Sequence, residues 1–291
     1  MLKKLFSKKL TKEISLYLSA KQISICHFQA DKVTLLVTKV ISSENQWLDV
    51  FIKLADEFQL SGFQVSVVLD RDFYQTFDID KPQVDESELL ATLPFSIKDL
   101  ISESIFDQVV DYIDMPFQQR KGEQITVISI PKARVLLIRD MILNAGCQLK
   151  AITIQELSLT RLLGDHDEAN ILLSQQHNEL VLTVVKSGQL HFTHRLRGFN
   201  ELLPLPLDDV ENALVDGLSL EIQRALDYIN SQLRINAIGT LHLALVCPDI
   251  KLLSEKLGAY LARNVQPFGE TEQYDYHALI AYGALMPEEG R

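Results

Sequence analysis

Hydrophobic and polar residues first recur with the short period of strands and then with the longer period of a helix. EISLYL (13–18), QISICHFQ (22–29) and KVTLLVTKV (32–40) read as three consecutive strands, with alternation visible at Ile23, Ile25 and then Phe28. Ala30-Asp31 supplies a tight turn. From Gln46 to Phe58 the period lengthens: Trp47, Val50, Phe51, Leu54 and Phe58 fall on one helical face. FQVSVVL (63–69) returns to strand character, so the chain opens β-β-β-α-β.

Residues 72–153 have a different grain. Strand-like DFYQTFDI is followed by Asp85-Glu86-Ser87-Glu88, an acidic helix start, and by a helix carrying Leu89, Leu90 and Leu93 that Pro94 is expected to interrupt. FDQVVDYIDM (106–115) and QITVISIP (124–131) read as strands. Lys132 to Ala145 reads as a helix ending at Gly146, and QLKAITI (148–154) closes the α+β block.

The polar stretch Asp165 to Asn170 reads as a domain edge. Beyond it, the apolar runs of ILLSQQHNELVLTVVKSGQLHFTHRLRG (171–198) flank a Lys186-Ser187-Gly188 hairpin turn. A long helix over 208–233, interrupted near Gly217, leads to the strand TLHLALV (240–246). A helix from Asp249, a short strand at Asn264-Val265-Gln266 and a helix from Tyr276 to Met286 complete the chain. A strand meander, then helix, then strand, thus occurs twice. Two similar α/β halves facing each other are the expected architecture.

Composition narrows the function classes. At 291 residues, with 47% hydrophobic and 23% charged residues, the chain has room for two ordinary domains. No apolar run approaches the roughly 18 residues of a membrane span, and MLKKLFSKKL lacks the features of a signal peptide, so a cytoplasmic protein is expected. The net charge of −11 argues against bulk nucleic-acid binding. It is unevenly spread: Lys3, Lys4, Lys8, Lys9 and Lys12 face no acid in residues 1–12, which leaves the rest near −16. With Leu2, Leu5, Phe6 and Leu10 alongside, that segment has two readings, a solvated terminus or an amphipathic turn touching an anionic membrane surface. Cys26, Cys147 and Cys247 are odd in number and far apart, which favours buried reduced thiols over disulfides or zinc.

Catalytic and cofactor motifs are scarce. GxxxxGK[ST], GxGxxG and GxSxG do not occur. His191 and His194, three apart on a presumed strand, face opposite ways and make no chelating pair. Arg195 and Arg197 read as ordinary surface charge or as an anion patch.

Five stretches nevertheless carry a resemblance. EISLYLSAKQISICHF, DQVVDYI (107–113), ISIPKARVLLIRDMILNAGCQLKAITIQELSLTRLL (128–163), LSLEIQRALDYINSQ (218–232) and HALIAYGALM (277–286) occur in the order and spacing of the PilM-type proteins of type IV pilus assembly, here in the manner of the mannose-sensitive haemagglutinin (MSHA) pilus. That family is similar to the division protein FtsA and shares the actin/Hsp70-type ATPase fold. The resemblance implies an actin-like (ribonuclease H-like) duplicated α/β fold with an α+β subdomain inserted in the first half. The implied division is 1–12 basic segment, 13–71 first half, 72–153 insertion and 154–291 second half. It also implies a place on the cytoplasmic face of the inner membrane. There the family docks the N-terminal cytoplasmic tail of a single-pass PilN-type protein, and through it a PilO-type protein.

An actin-type cleft holds ATP and Mg²⁺ with three turns rich in glycine, the first two preceded by an Asp. By the resemblance, the first Asp and Gly positions are Tyr17 and Ser19, with Ser24 where many relatives have Lys. The second pair is Ser174 and Gln176, and the third turn holds Cys247 and Pro248 in place of Gly-Gly. A neutral Tyr cannot orient Mg²⁺-bound water as a carboxylate does, and the Gln176 Cβ crowds a phosphate. A pseudo-ATPase with no catalytic residue and no bound metal is therefore expected. Three rivals stand beside it. A weakened ATP/Mg²⁺ site on Lys21 and Ser19 would make the chain a regulatory protein of pilus assembly or type II secretion. An enzyme would need a displaced carboxylate such as Asp70 or Asp111. An FtsA-like division scaffold fits poorly with a chain ending MPEEGR.

Overall fold

Ile14, Leu16 and Leu18 point to one face of the opening strand and Ser15 and Tyr17 to the other, and both faces are buried. That double burial organises the molecule. The computed structural model describes residues 12–29, 32–116, 123–176, 179–268 and 276–286. The basic segment up to residue 11, the Ala30-Asp31 turn and the final residues 287–291 lie outside the described residues.

In chain order the first part comprises β1 (Glu13–Leu18), β2 (Gln22–Gln29), β3 (Lys32–Val40), α1 (Trp47–Glu57), β4 (Gln64–Leu69), β5 (Gln75–Asp80), α2 (Glu86–Ser96), β6 (Gln108–Asp114), β7 (Gln124–Pro131), α3 (Lys132–Asn144), β8 (Gln148–Ile154) and α4 (Gln155–Leu163). The second part comprises β9 (Ala169–Gln175), β10 (Leu180–Lys186), β11 (Gln189–Leu196), α5 (Leu207–Glu211), α6 (Gly217–Ser231), β12 (Ile238–Ala244), α7 (Ile250–Leu261), β13 (Val265–Pro267) and α8 (Tyr276–Gly283).

The duplication is visible in the sheets. One has the order β3-β2-β1-β4-β8, the other β11-β10-β9-β12-β13. In each, three antiparallel strands meander and the next two add in parallel, with Leu16 opposite Val67 in the first sheet and Leu173 opposite Leu243 in the second. The Ser187-Gly188 hairpin turn has φ of 51° and 67°, the positive values that let two residues join strands without splaying them. The outer face of the first sheet packs on α1 and α3, centred on Trp47, Phe51 and Met141. The outer face of the second packs on α6 and α7. Between the sheets run α4 and α8, in a shared cluster that includes Tyr17, Cys26, Leu159, Leu172, Ala244 and Ile280.

The separate sheet is narrower than the expected 72–153 block. It has the order β5-β7-β6 and packs on α2 through Leu89, Leu93, Ile97, Ile125 and Val127, so it spans Gln75–Pro131. α3 and β8, expected within it, belong to the first half: Ile138 and Ile142 join that half's core, and β8 pairs in parallel with β4. Strand type alone cannot assign a strand to one of two neighbouring sheets. Pro94 does not stop α2, which runs to Ser96, because a proline so near the end removes a single hydrogen bond from the last turn. The expected break near Gly217 is a π-helical turn over Asn212–Asp216 that carries α5 into α6 without leaving the helix. α4 was not expected as a helix of its own. Its nine residues follow β8 with no intervening loop, so no turn signal separates them.

Candidate functional site

The expected cleft residues lie at the ends of β1, β9 and β12, where the chain leaves two sheets that share α4 and α8. Tyr17 is wholly buried, with its hydroxyl donating to the Asp70 carboxylate and lying 3.5 Å from Gln155 Oε1. Asp70 also caps the turn after β4, accepting from the Asp72 amide at 3.1 Å. The first turn is closed by Ser19 itself. Its hydroxyl accepts from the amides of Gln22 at 2.9 Å and Lys21 at 3.3 Å and donates to the Gln22 carbonyl at 3.1 Å. Amides that make an anion nest elsewhere are here turned onto a side chain of the same turn. Trp47 holds the turn from below, donating Nε1–H to the Ser19 carbonyl at 2.9 Å. Ser24 pairs with Thr38 across β2 and β3 at 2.8 Å.

The second and third turns are likewise occupied from within. Ser174 is buried and donates to the Val181 carbonyl at 3.2 Å. The Gln176 amide donates to the Glu179 carbonyl at 2.8 Å, and its carbonyl accepts from Asn200 Nδ2 at 2.7 Å. Before Cys247 and Pro248, the Val246 amide donates to Gln175 Oε1 at 2.8 Å. Cys247 itself packs in the second-half core, where burial pushes its thiol pKa up. Arg195 and Arg197 both pair with Glu179, at 3.0 and 3.3 Å. Among the described residues, no group of three or more His, Cys, Asp or Glu side chains could hold a metal ion.

A second polar group beside Tyr17 went unseen in the sequence. Tyr74, nearly buried, donates to Glu156 in the first turn of α4. Arg71 lies 3.7 Å from the same carboxylate, donates to the Tyr74 carbonyl at 2.7 Å and stacks over the Tyr74 ring at 4.9 Å. Burial raises the Glu156 pKa, with the Tyr74 hydrogen bond and the Arg71 charge opposing. Burial and the Glu156 charge keep Tyr74 a neutral phenol. The one available signal was an acid at the start of an apolar-periodic run after β8. Of the two carboxylates considered as substitutes, Asp70 bonds the Tyr17 hydroxyl and Asp111 is on β6 of the separate sheet.

The raised Glu156 pKa fixes a sign. A carboxyl that holds its proton more tightly when folded stabilises fully below the unfolded value near ~4.3 and loses that contribution as pH rises through the folded value. Glu156→Gln has no such loss. Its stability relative to the native chain will therefore improve between pH 4 and 7, by at most about 1.4 kcal/mol per pH unit. Urea denaturation of both proteins at the two pH values checks this, and an unchanged difference would refute it.

A groove of about 240 Å³ lies between the separate sheet and the first half. Val109, Tyr112 and Ile113 of β6 line one side, Ile152 of β8 and Leu157 of α4 the other, and Ile130 lies between. Both β6 and β8 are edge strands of their sheets, so each has an outer edge without a strand partner among the described residues.

Two meander-plus-parallel sheets with paired helices between them define the actin-like ATPase fold. The chain has the fold of the PilM-PilN type IV pilus biogenesis complex, with a TM-score of 0.68 at 15% identity over 94% of this chain and 98% of that one. The cytoplasmic domain of EpsL, an inner-membrane component of the Vibrio cholerae type II secretion system, superposes with a TM-score of 0.56 at 14% identity, over 94% and 95% of the two chains. A Bacteroides thetaiotaomicron protein described as having an actin-like ATPase fold gives 0.51 at 15% identity, over 93% and 96%. No protein-family model matches the chain, and no curated protein matches it.

Proposed function

We propose that this chain is a scaffold of type IV pilus biogenesis that docks the cytoplasmic tail of a PilN-type inner-membrane protein. The observation that carries this reading is the groove between β6 and β8. An extended peptide laid there can add main-chain hydrogen bonds to a free edge and seat alternate apolar side chains against Ile130, Ile152 and Leu157. Charge adds a preference. Residues 72–131 hold four bases against twelve acids, a net of −8, so a tail with basic residues around its apolar positions is favoured. The scaffold works at the cytoplasmic face of the inner membrane, with a PilO-type protein reached through the PilN-type partner. No described helix is long and apolar enough to cross a membrane. Within the family, the resemblance favours the branch of the MSHA biogenesis protein MshI.

Val109 lines the groove and is 41% exposed, so a charge there leaves the core alone. Val109→Lys, which removes the apolar contact and sets a base against a basic tail, will weaken a synthetic PilN-type tail peptide by about tenfold or more in calorimetric titration, while the melting temperature stays within a few degrees. Undiminished binding by the variant would remove the groove from the reading.

We further propose that the cleft is a pseudo-ATPase site. The support is the set of occupied amides at Lys21, Gln22, Gln176 and Val246, together with the Tyr17 side chain in the place of an Asp. A fluorescent ATP analogue with Mg²⁺ will show no saturable binding below about 1 mM, so its binding free energy stays weaker than about 4 kcal/mol. The competing reading, a nucleotide-binding regulator, draws on Asp70 and Glu156, two carboxylates near the expected site. Saturable micromolar binding would establish it.

A further inference from the structure

We infer that the outer face of α3 is a dimerisation surface, and that what covers it is the α3 of a second copy of this chain, laid antiparallel across a two-fold axis. The inference does not rest on what the groove binds. α3 is apolar on two sides. Ile138, Met141 and Ile142 are buried in the first half's core. Leu136, Leu137 and Leu143 are instead 38%, 46% and 55% exposed. With Ala133 and Asp140, both exposed, they recur at the three- and four-residue intervals that make one stripe along a helix. The inner stripe already joins α3 to its own core. A second, exposed apolar stripe is the pattern of a helix that has another neighbour.

Charge says what that neighbour is. Asp140 lies within the outer stripe and Arg139 borders it, at 55% and 49% side-chain exposure, with Arg139 Nε 2.8 Å from Asp140 Oδ1. A partner carrying one sign of charge would set either Arg139 or Asp140 against its like. A second copy of α3 supplies both signs in reverse order. With the axis between residues 139 and 140, antiparallel helices bring Leu136 opposite Leu143 of the second copy and Arg139 opposite its Asp140, and symmetry makes each contact twice. Positions 136, 139, 140 and 143 also follow the spacing of a coiled-coil seam, in which a polar position fixes the register. Val135, the α3 residue that lines the groove, lies outside the stripe, so the dimer carries two open grooves. The 13 residues of α3 span only about 20 Å, so this interface is smaller than the roughly 1,600 Å² of a standard one. The dimer is therefore reversible, with a dissociation constant of about 10–100 µM.

Sedimentation velocity of the full-length protein from about 1 to 500 µM measures that constant. A chain that stays monomeric throughout would overturn the inference. Arg139→Asp and Asp140→Arg are then compared alone and mixed in equal amounts. Alone, each variant sets like charges opposite one another at both pairs, and its dissociation constant rises about tenfold or more. Mixed, the two variants restore both pairs and return to within about threefold of the native value. Self-association of either variant at native strength, or a mixture no tighter than its parts, would place the dimer contact elsewhere and overturn the inference. The comparison is internal, because any damage to the fold is carried equally by the separate and the mixed samples. A Leu136→Ser, Leu143→Ser variant tests the apolar part, with its melting temperature as the check on folding. It will also dissociate about tenfold more readily, and an unchanged constant would refute the seam.

Discussion

Trp47→Ala will destabilise the protein by about 3–5 kcal/mol, a loss visible as a lowered urea midpoint with little change in slope. The indole is 1% exposed and meets Phe73 edge to face at 4.8 Å. Truncation removes its transfer free energy and leaves a cavity under the first sheet, where α1 cannot move closer without disturbing Phe51 and Leu54, also buried. It also deprives the Ser19 carbonyl of its partner. Phe73 sits where the chain leaves the first half for the separate sheet, with Arg134 over its ring at 4.5 Å. The damage will therefore reach the joint between these sheets as well as the turn. Trp47→Phe separates the contributions: it keeps most of the volume and gives up the Nε1–H bond, for a loss of about 1–2 kcal/mol. Equal losses for the two variants would mean that the hydrogen bond and not the packing holds α1 in place.

Gly283→Ala should cost about 2–4 kcal/mol, although alanine is ordinarily the better helix former by about 1 kcal/mol. The two effects have opposite signs, and distance decides between them. A methyl group at 2.3 Å from a carbonyl oxygen cannot be accommodated by rotating a side chain, because the obstacle is backbone. α8 or α4 has to shift, and either shift strains the bonds to Ile280 and Ala284. Differential scanning calorimetry on native and variant protein gives the answer. A rise in melting temperature would show that propensity wins and that the helices are not in close contact. Gly62 is the contrasting case: unlike Gly283 it has a positive φ, of 80°, and a Cβ there meets nothing within 4 Å, so Gly62→Ala tests backbone strain without a steric clash.

Most strands were legible because their signals are local. Alternation in β1 and β2, the helical spacing of Trp47, Phe51 and Leu54, and the Ser187-Gly188 turn need no knowledge of partners. The repeated meander was legible for the same reason, since two copies of one pattern stand in one chain. What the sequence concealed is assignment across space. QLKAITI looks the same whether it ends the separate sheet or edges the first one, and only its parallel pairing with β4 decides. The expected site residues Tyr17, Ser19, Ser174, Gln176, Cys247 and Pro248 lie at or just beyond the ends of β1, β9 and β12. The partners that occupy those turns could not be read in advance. Gln175 reaches Val246 across 71 positions, and Tyr74 reaches Glu156 across 82. Neither spacing carries a motif. Glu156 was hidden further because a lone acid after a strand is most simply a helix start.

The path of α8 also sets a timetable for biosynthesis. Ser15 waits for the carbonyl of a residue 266 positions later. Until that helix is made, the inner face of the first sheet, with Tyr17 and Cys26 on it, has no cover from α8. The first half can begin its outer core with α1 and α3 early, but its inner face cannot be completed before the second half has left the ribosome. Contacts of such long sequence separation slow folding and prolong the exposure of sticky intermediates. Nascent chains of this protein should therefore be clients of a holdase, and the two halves, alike as they are, should not be separable into independently expressed pieces.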